Sequence, residues 1–117
     1  MPRGSIISLN GRLGAGKTTF VKGIALGLGI MEPVTSPTFT LISEYTGYNI
    51  NLYHMDMYRI ESYEELMMTG GEELMNGDGI SIIEWADKIK KYLPDDTIEI
   101  NIEIKENFDR EITVEGL

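Results

Sequence analysis

Residues 11–18, Gly-Arg-Leu-Gly-Ala-Gly-Lys-Thr, satisfy the pattern G-x-x-x-x-G-K-[ST], and few short patterns constrain a fold so strongly. Gly11 and Gly16 accept backbone angles that a Cβ forbids, so the loop can curl with its N–H groups turned inward. Those groups and the N-terminus of a following helix form a positively polarised cradle for a di- or triphosphate. Lys17 brings a full charge to the β- and γ-phosphates, and the Thr18 hydroxyl is placed to ligate Mg2+.

The pattern carries this meaning only between a strand and a helix. Ile6-Ile7-Ser8-Leu9 is a short apolar run suited to a buried strand. After the loop, Phe20, Ile24 and Leu28 recur every four residues beside Val21 and Ala25, and Gly29 stands where a helix C-cap belongs. Strand, loop and helix therefore follow in the required order. In a parallel sheet the ligand lies at the carboxyl ends of the strands. A second apolar run, Ile80-Ser81-Ile82-Ile83-Glu84-Trp85, ends in a carboxylate, which places Glu84 near Thr18 as a holder of Mg2+ or its water.

Between these two signals lie two further stretches with candidate chemistry. Pro37 keeps Ser36 out of the helical region, so Thr35 to Thr38 reads as an extended hydroxyl-rich loop, either ordinary turn chemistry or a switch facing the γ-phosphate. A strand from Phe39, a turn at Thr46-Gly47-Tyr48-Asn49 and a strand over Ile50 to Met57 make an antiparallel hairpin. On it His54, Asp56 and Tyr58 share one face and Arg59 follows, a richer set than solvation requires. His54 is the only histidine, which excludes a multi-histidine metal site.

Farther on, Ser62-Tyr63-Glu64-Glu65 has capping-box form and predicts a helix to about Met68, ended by Gly70-Gly71, with Glu72 to Met75 as a further turn. Ala86 to Tyr92 reads as a short helix carrying Lys88, Lys90 and Lys91. Ile98, Ile100, Ile102 and Ile104 alternate with polar residues as a half-buried strand. A turn at Asn107-Phe108-Asp109 returns the chain along Arg110 to Glu115, with Ile112 and Val114 expected to face inward.

Composition narrows the partners. The net charge is −9, from 10 Lys and Arg against 19 Asp and Glu, which suits docking on a basic partner surface, or simply staying soluble, better than holding nucleic acid alone. The chain holds no cysteine, so disulfides and thiolate metal sites are excluded and a reducing cytoplasm is the expected setting. No leader and no apolar run of membrane-spanning length is present, and no membrane role is expected.

Four of these motifs together resemble the TsaE (YjeE) family. They are Leu13-Gly14-Ala15-Gly16-Lys17-Thr18-Thr19-Phe20, Ser36-Pro37-Thr38-Phe39-Thr40-Leu41, Tyr53-His54-Met55-Asp56-Met57-Tyr58-Arg59 and Glu84-Trp85. The resemblance implies a bacterial ATPase, slow alone, that supports formation of threonylcarbamoyladenosine in tRNA through the TsaD–TsaB protein assembly, meeting tRNA only indirectly. It implies ATP and Mg2+ as cofactors, nucleotide binding by Leu13, Gly14, Ala15, Gly16, Lys17, Thr18 and Thr19, and Mg2+ ligation by Thr18 and Glu84. It makes Glu84, Asp56 and Lys17 catalytic, with Asp56 close to the metal and γ-phosphate. It makes Ser36, Pro37 and Thr38 a switch and sets Trp85 and Arg110 beside the nucleotide, with His54, Tyr58 and Arg59 in a supporting shell.

The family pattern departs at two places: an acidic residue is usual where Arg12 stands, and a segment usually precedes the loop strand. The expected architecture is thus a single P-loop domain over residues 1–117 without that segment. It is a three-layer α/β/α fold with a mixed sheet and antiparallel hairpins. Two other uses of the same loop remain. A small-molecule kinase needs a lid with several arginines, whereas only Arg12, Arg59 and Arg110 lie beyond the first residues. A nucleotide-gated adaptor with vestigial hydrolysis differs mainly in rate, and no N-K-x-D stretch for reading guanine is present.

Overall fold

The computed structural model describes residues 4–11, 17–31, 33, 42–57, 60, 62–68, 70–75, 77–104 and 110–115. Six strands, β1 (Ile6–Gly11), β2 (Ile42–Thr46), β3 (Asn51–Asp56), β4 (Ile80–Glu84), β5 (Ile98–Ile104) and β6 (Arg110–Glu115), form one sheet in the order β2-β3-β4-β1-β5-β6. The inner four are parallel, and β2 and β6 run antiparallel along the two edges. Chain order reverses at β1, whose neighbours are β4 and β5. In sheets of this kind ligands bind beyond the carboxyl ends of the strands beside such a reversal, and the phosphate-binding pattern begins there, at the end of β1.

Helices cover both faces, as the sequence predicts. On one face α1 (Lys17–Gly27) presses Val21 and Ala25 onto Ile7, Leu9, Leu52, Ile80, Ile82, Ile98, Ile100 and Ile102, with Phe20, Ile24 and Leu28 partly buried around them. On the other, α2 (Tyr63–Met68), α3 (Gly71–Met75) and a 3-10 helix (Ala86–Tyr92) bury Leu66, Met75, Ala86 and Ile89 against Ile6, Met55, Met57 and Ile83. Strands buried on both faces read as near-continuous apolar runs, which is why Ile80-Ser81-Ile82-Ile83 was legible as one.

Two helix ends follow the expected chemistry. The Ser62 hydroxyl accepts a hydrogen bond from the Glu65 backbone N–H at 3.4 Å, the first half of the capping box that opens α2. At the far end of α1, Gly29 takes φ +78. The Ile30 N–H bonds to the Ala25 carbonyl at 3.0 Å and the Gly29 N–H to that of Leu26 at 3.1 Å, a Schellman close. The Tyr48 N–H then donates to the Leu28 carbonyl at 2.8 Å, fastening the β2–β3 turn to the end of α1.

Three expectations need adjustment. Ile112 and Val114 pair with Ile102 and Ile100, yet they are 52% and 42% exposed, because β6 is an edge strand and neither residue joins the cluster beneath α1. The segment 86–92 is a 3-10 helix broken at Ile89 (φ −124, ψ 16), since spacing of three puts Ala86 and Ile89 on one buried side. The second hairpin strand begins at Asn51 rather than at Ile50. Positions 39–41, like the turn at Asn107-Phe108-Asp109, lie outside the described residues.

The closure of α1 generates a paired prediction. Gly29→Ala should destabilise the fold by about 1–2 kcal/mol, because an L side chain is strained at this positive φ, and its Cβ would meet that of Tyr48 at 3.2 Å. Gly23→Ala, within α1 and with nothing within 4 Å of the added carbon, should stabilise by about 0.5–1 kcal/mol. Urea-unfolding midpoints of the two variants check this, and opposite signs are required.

Candidate functional site

The parallel register sets the site. Leu9 of β1 pairs with Glu84 of β4, and Glu84 pairs with Asp56 of β3, so the ends of three strands meet at one edge of the sheet. The Met57 N–H donates to the Glu84 carbonyl at 3.0 Å, extending the ladder past the last paired residues. Side chains alternate along a strand, so His54, Asp56, Ile82 and Glu84 face the α1 side. Lys17 is the first residue of α1 and enters from the same side.

Glu84 is the centre of the cluster. One carboxylate oxygen, Oε2, lies 2.5 Å from His54 Nε2, and the other, Oε1, lies 3.5 Å from Lys17 Nζ. His54 is fully buried, and the side chains of Lys17 and Glu84 are 9% and 8% exposed. The Lys17 ammonium also sits over the indole of Trp85, 4.8 Å from the ring centroid, a favourable cation–π contact. Trp85 is left-handed (φ 58, ψ 40), an unusual conformation for a bulky residue and a form of strain that clusters at functional sites. It ends β4 abruptly and lays the half-exposed ring beside the lysine.

Burial by itself would raise the Glu84 pKa. The hydrogen bond and charge of His54, then those of Lys17, outweigh it and hold the carboxyl below its ordinary value. The group is therefore an ionised acceptor at neutral pH.

Among the described residues no group of three His, Asp or Glu side chains is arranged to hold a metal. Mg2+ does not need such a group, being held by one or two carboxylates completed by phosphate oxygens and water rather than by an all-protein cage. The ammonium at 3.5 Å from Oε1 shows that this oxygen already attracts a cation. The donor set fits the ion.

Lys17, Glu84, His54 and Trp85 are thus brought together. Asp56 stands beside Glu84 in register, partly exposed. Thr19 lies exposed in the first turn of α1, and Thr18 belongs to that turn by its backbone. Arg110 opens β6 opposite Ile104, at the carboxyl end of β5 and hence at the same edge of the sheet. Leu13, Gly14, Ala15, Gly16, Ser36, Pro37, Thr38, Tyr58 and Arg59 lie outside the described residues. Sequence reasoning missed the Lys17–Glu84 ion pair, the Lys17–Trp85 contact and the direct hold of His54 on Glu84. The parity of His54 with Asp56 was the signal for the last, once β3 is known to lie beside β4.

The strand order and this convergence of lysine and carboxylate define an α/β protein of the phosphate-binding-loop class. Residues 1–112 match the family model described as Threonylcarbamoyl adenosine biosynthesis protein TsaE, and the chain belongs to the TsaE family. It is 47% identical over 114 residues to the tRNA threonylcarbamoyladenosine biosynthesis protein TsaE of Treponema pallidum (strain Nichols), across 97% of this chain and 84% of the relative. To the protein of the same description from Bacillus subtilis (strain 168) it is 47% identical over 110 residues, across 94% of this chain and 68% of the relative. Its fold is similar to the crystal structure of Bacillus subtilis YdiB, with a TM-score of 0.77 and 40% identity over 97% of this chain and 69% of that one.

The lowered Glu84 pKa predicts an acid dependence. Because the folded value lies below the ordinary 4.5, the stability it contributes is present above 4.5 and is lost as pH falls through the folded value. Without nucleotide or divalent cation, wild type should be more stable than Glu84→Gln at neutral pH, since the variant leaves the Lys17 ammonium without its counter-charge and the His54 ring without its ionised acceptor. Urea titrations over a pH series should show this advantage shrinking below the ordinary value. A difference that stays constant down to about pH 3, below the ordinary carboxylate range, contradicts the electrostatic account.

Proposed function

We propose that this chain is a Mg2+-dependent ATPase, a single P-loop domain that supports threonylcarbamoyladenosine formation in tRNA by acting on the TsaD–TsaB assembly. The observation that carries the reading is the meeting of Lys17 with Glu84 at the carboxyl edge, at the head of the helix that follows the phosphate-binding pattern. Family membership supplies the pathway, and the relatives, named as tRNA threonylcarbamoyladenosine biosynthesis proteins, agree with it.

In this reading the motif residues Leu13 to Thr19 cradle the phosphates of ATP, and Lys17 exchanges its carboxylate partner for a phosphate oxygen. Thr18 and Glu84 would hold Mg2+, which when bound neutralises charge on the phosphates. Glu84, freed of the ammonium, also orients the attacking water, and Asp56 beside it supports that arrangement. Trp85 and Arg110 border the nucleotide, and Ser36, Pro37 and Thr38 act as a switch that responds to the γ-phosphate. His54, Tyr58 and Arg59 support these groups. With a net charge of −9, the chain engages tRNA only through its partners. Its work is set in the cytoplasm, and among the described residues no helix is long and apolar enough to cross a membrane.

ATP turnover with and without the TsaD–TsaB assembly tests the proposal and separates it from a small-molecule kinase or an adaptor with vestigial hydrolysis. Turnover should be slow alone and rise with the assembly. ATP at a hundred times its dissociation constant should stabilise wild type by about 2.7 kcal/mol, and Lys17→Ala should show almost no shift. Glu84→Gln should keep ATP binding and lose turnover by at least ~100-fold, beyond what loss of a merely supporting group costs. Wild-type turnover in Glu84→Gln under saturating Mg2+ would remove Glu84 from the reaction.

A further inference from the structure

The most enclosed member of the cluster is His54, and its geometry gives it a more definite role than general support. It is fully buried on β3, yet its register partner on β4 is Ile82, and its ring reaches along the sheet to Glu84. There Nε2 meets Oε2 at 2.5 Å while Oε1 faces the ammonium of Lys17 at 3.5 Å. The two oxygens of one carboxylate are divided between a ring locked in the sheet and a flexible side chain at the start of a helix.

An ionised carboxylate only accepts hydrogen bonds, so the hydrogen between the two groups belongs to His54 Nε2. The other ring nitrogen, Nδ1, is buried and has no hydrogen-bond partner among the described residues, so Glu84 is the ring's one described polar anchor. A glutamate at a strand tip otherwise rotates freely about its last torsion and offers either oxygen. With Oε2 tied to the ring, the carboxylate plane is set and Oε1 alone is turned toward Lys17.

We infer that His54 is a positioning residue for Glu84: by holding Oε2 it presents Oε1 as the single oxygen for which the Lys17 ammonium and a divalent cation compete. This rests on the proposal that Glu84 holds Mg2+ and adds what orients it. His54 touches neither nucleotide nor metal, and its effect passes through the carboxylate. Lys17 fills the cation position without nucleotide, and phosphate draws it away.

Trp85 is the only tryptophan and follows Glu84 directly, so its emission reports on the site. The full chain is loaded with a non-hydrolysable ATP analogue and titrated with Mg2+. His54→Gln keeps a donor near the position of Nε2, whereas the amide of His54→Asn is too short to reach Glu84. His54→Asn should raise the Mg2+ midpoint by about tenfold or more, the usual cost of losing a group that orients a ligand. His54→Gln should restore most of it, and both should bind the analogue without Mg2+ as wild type does. Equal midpoints for wild type and His54→Asn overturn the inference, as does a His54→Gln defect equal to that of His54→Asn. A wild-type chain that binds the analogue and ignores Mg2+ overturns the metal reading of Glu84 instead. The nitrogen spectrum of wild type labelled at its single histidine needs no variant: a protonated Nε2 is expected, and an unprotonated one overturns the inference.

Discussion

A carboxylate that is 8% exposed costs several kcal/mol to desolvate unless it is paired, and Glu84 is paired on both oxygens. The rest of the site depends on this arrangement. It needs β3 beside β4 in parallel register, so that His54 stands on the correct face, and it needs α1 to begin where Lys17 can reach Oε1. Replacing such a triad with apolar side chains of similar volume is often neutral or stabilising. Its presence at the carboxyl edge therefore points to use rather than to fold stability.

The sheet makes that use possible without any single strand supplying the whole site. β4 carries Glu84, β3 carries His54 and Asp56, and β1 leads into the phosphate-binding pattern, each delivered to one edge by parallel pairing. Two apolar clusters, one under α1 and one under α2, α3 and the 3-10 helix, hold β1, β3 and β4 from both sides, and β5 joins the first. The pivot of the site is correspondingly rigid on the β side, while Lys17, on a long side chain, is the component able to change partners.

Much of this was legible in the sequence for definite reasons. Ile80 to Glu84 read as a buried strand with an acid at its tip because a doubly covered parallel strand has no alternation to hide it. Gly29 and Ser62 marked helix ends because each satisfies a specific backbone requirement, seen as φ +78 in one and as a hydrogen bond to the Glu65 N–H in the other. What escaped depends on three-dimensional neighbours. Ile112 and Val114 alternate like a buried face, but alternation cannot say that β6 lies at the edge. The spacing of Lys17, His54 and Glu84 along the chain says nothing of a shared carboxylate, which follows from strand order and from where α1 begins. Trp85 gave no sign of its left-handed backbone, because that conformation is set by the exit from β4 rather than by the residue.

The central claim is that Lys17 holds the place of a cation on Glu84 and gives it up to nucleotide. A crystal structure of the chain with a non-hydrolysable ATP analogue and Mg2+ tests it most directly. The account predicts Lys17 Nζ on a phosphate oxygen and withdrawn from Oε1, Mg2+ within ligand distance of that oxygen, and the His54–Glu84 contact unbroken. A nucleotide bound away from residues 11–18, or a lysine still paired with Glu84 while the phosphates are in place, would contradict it.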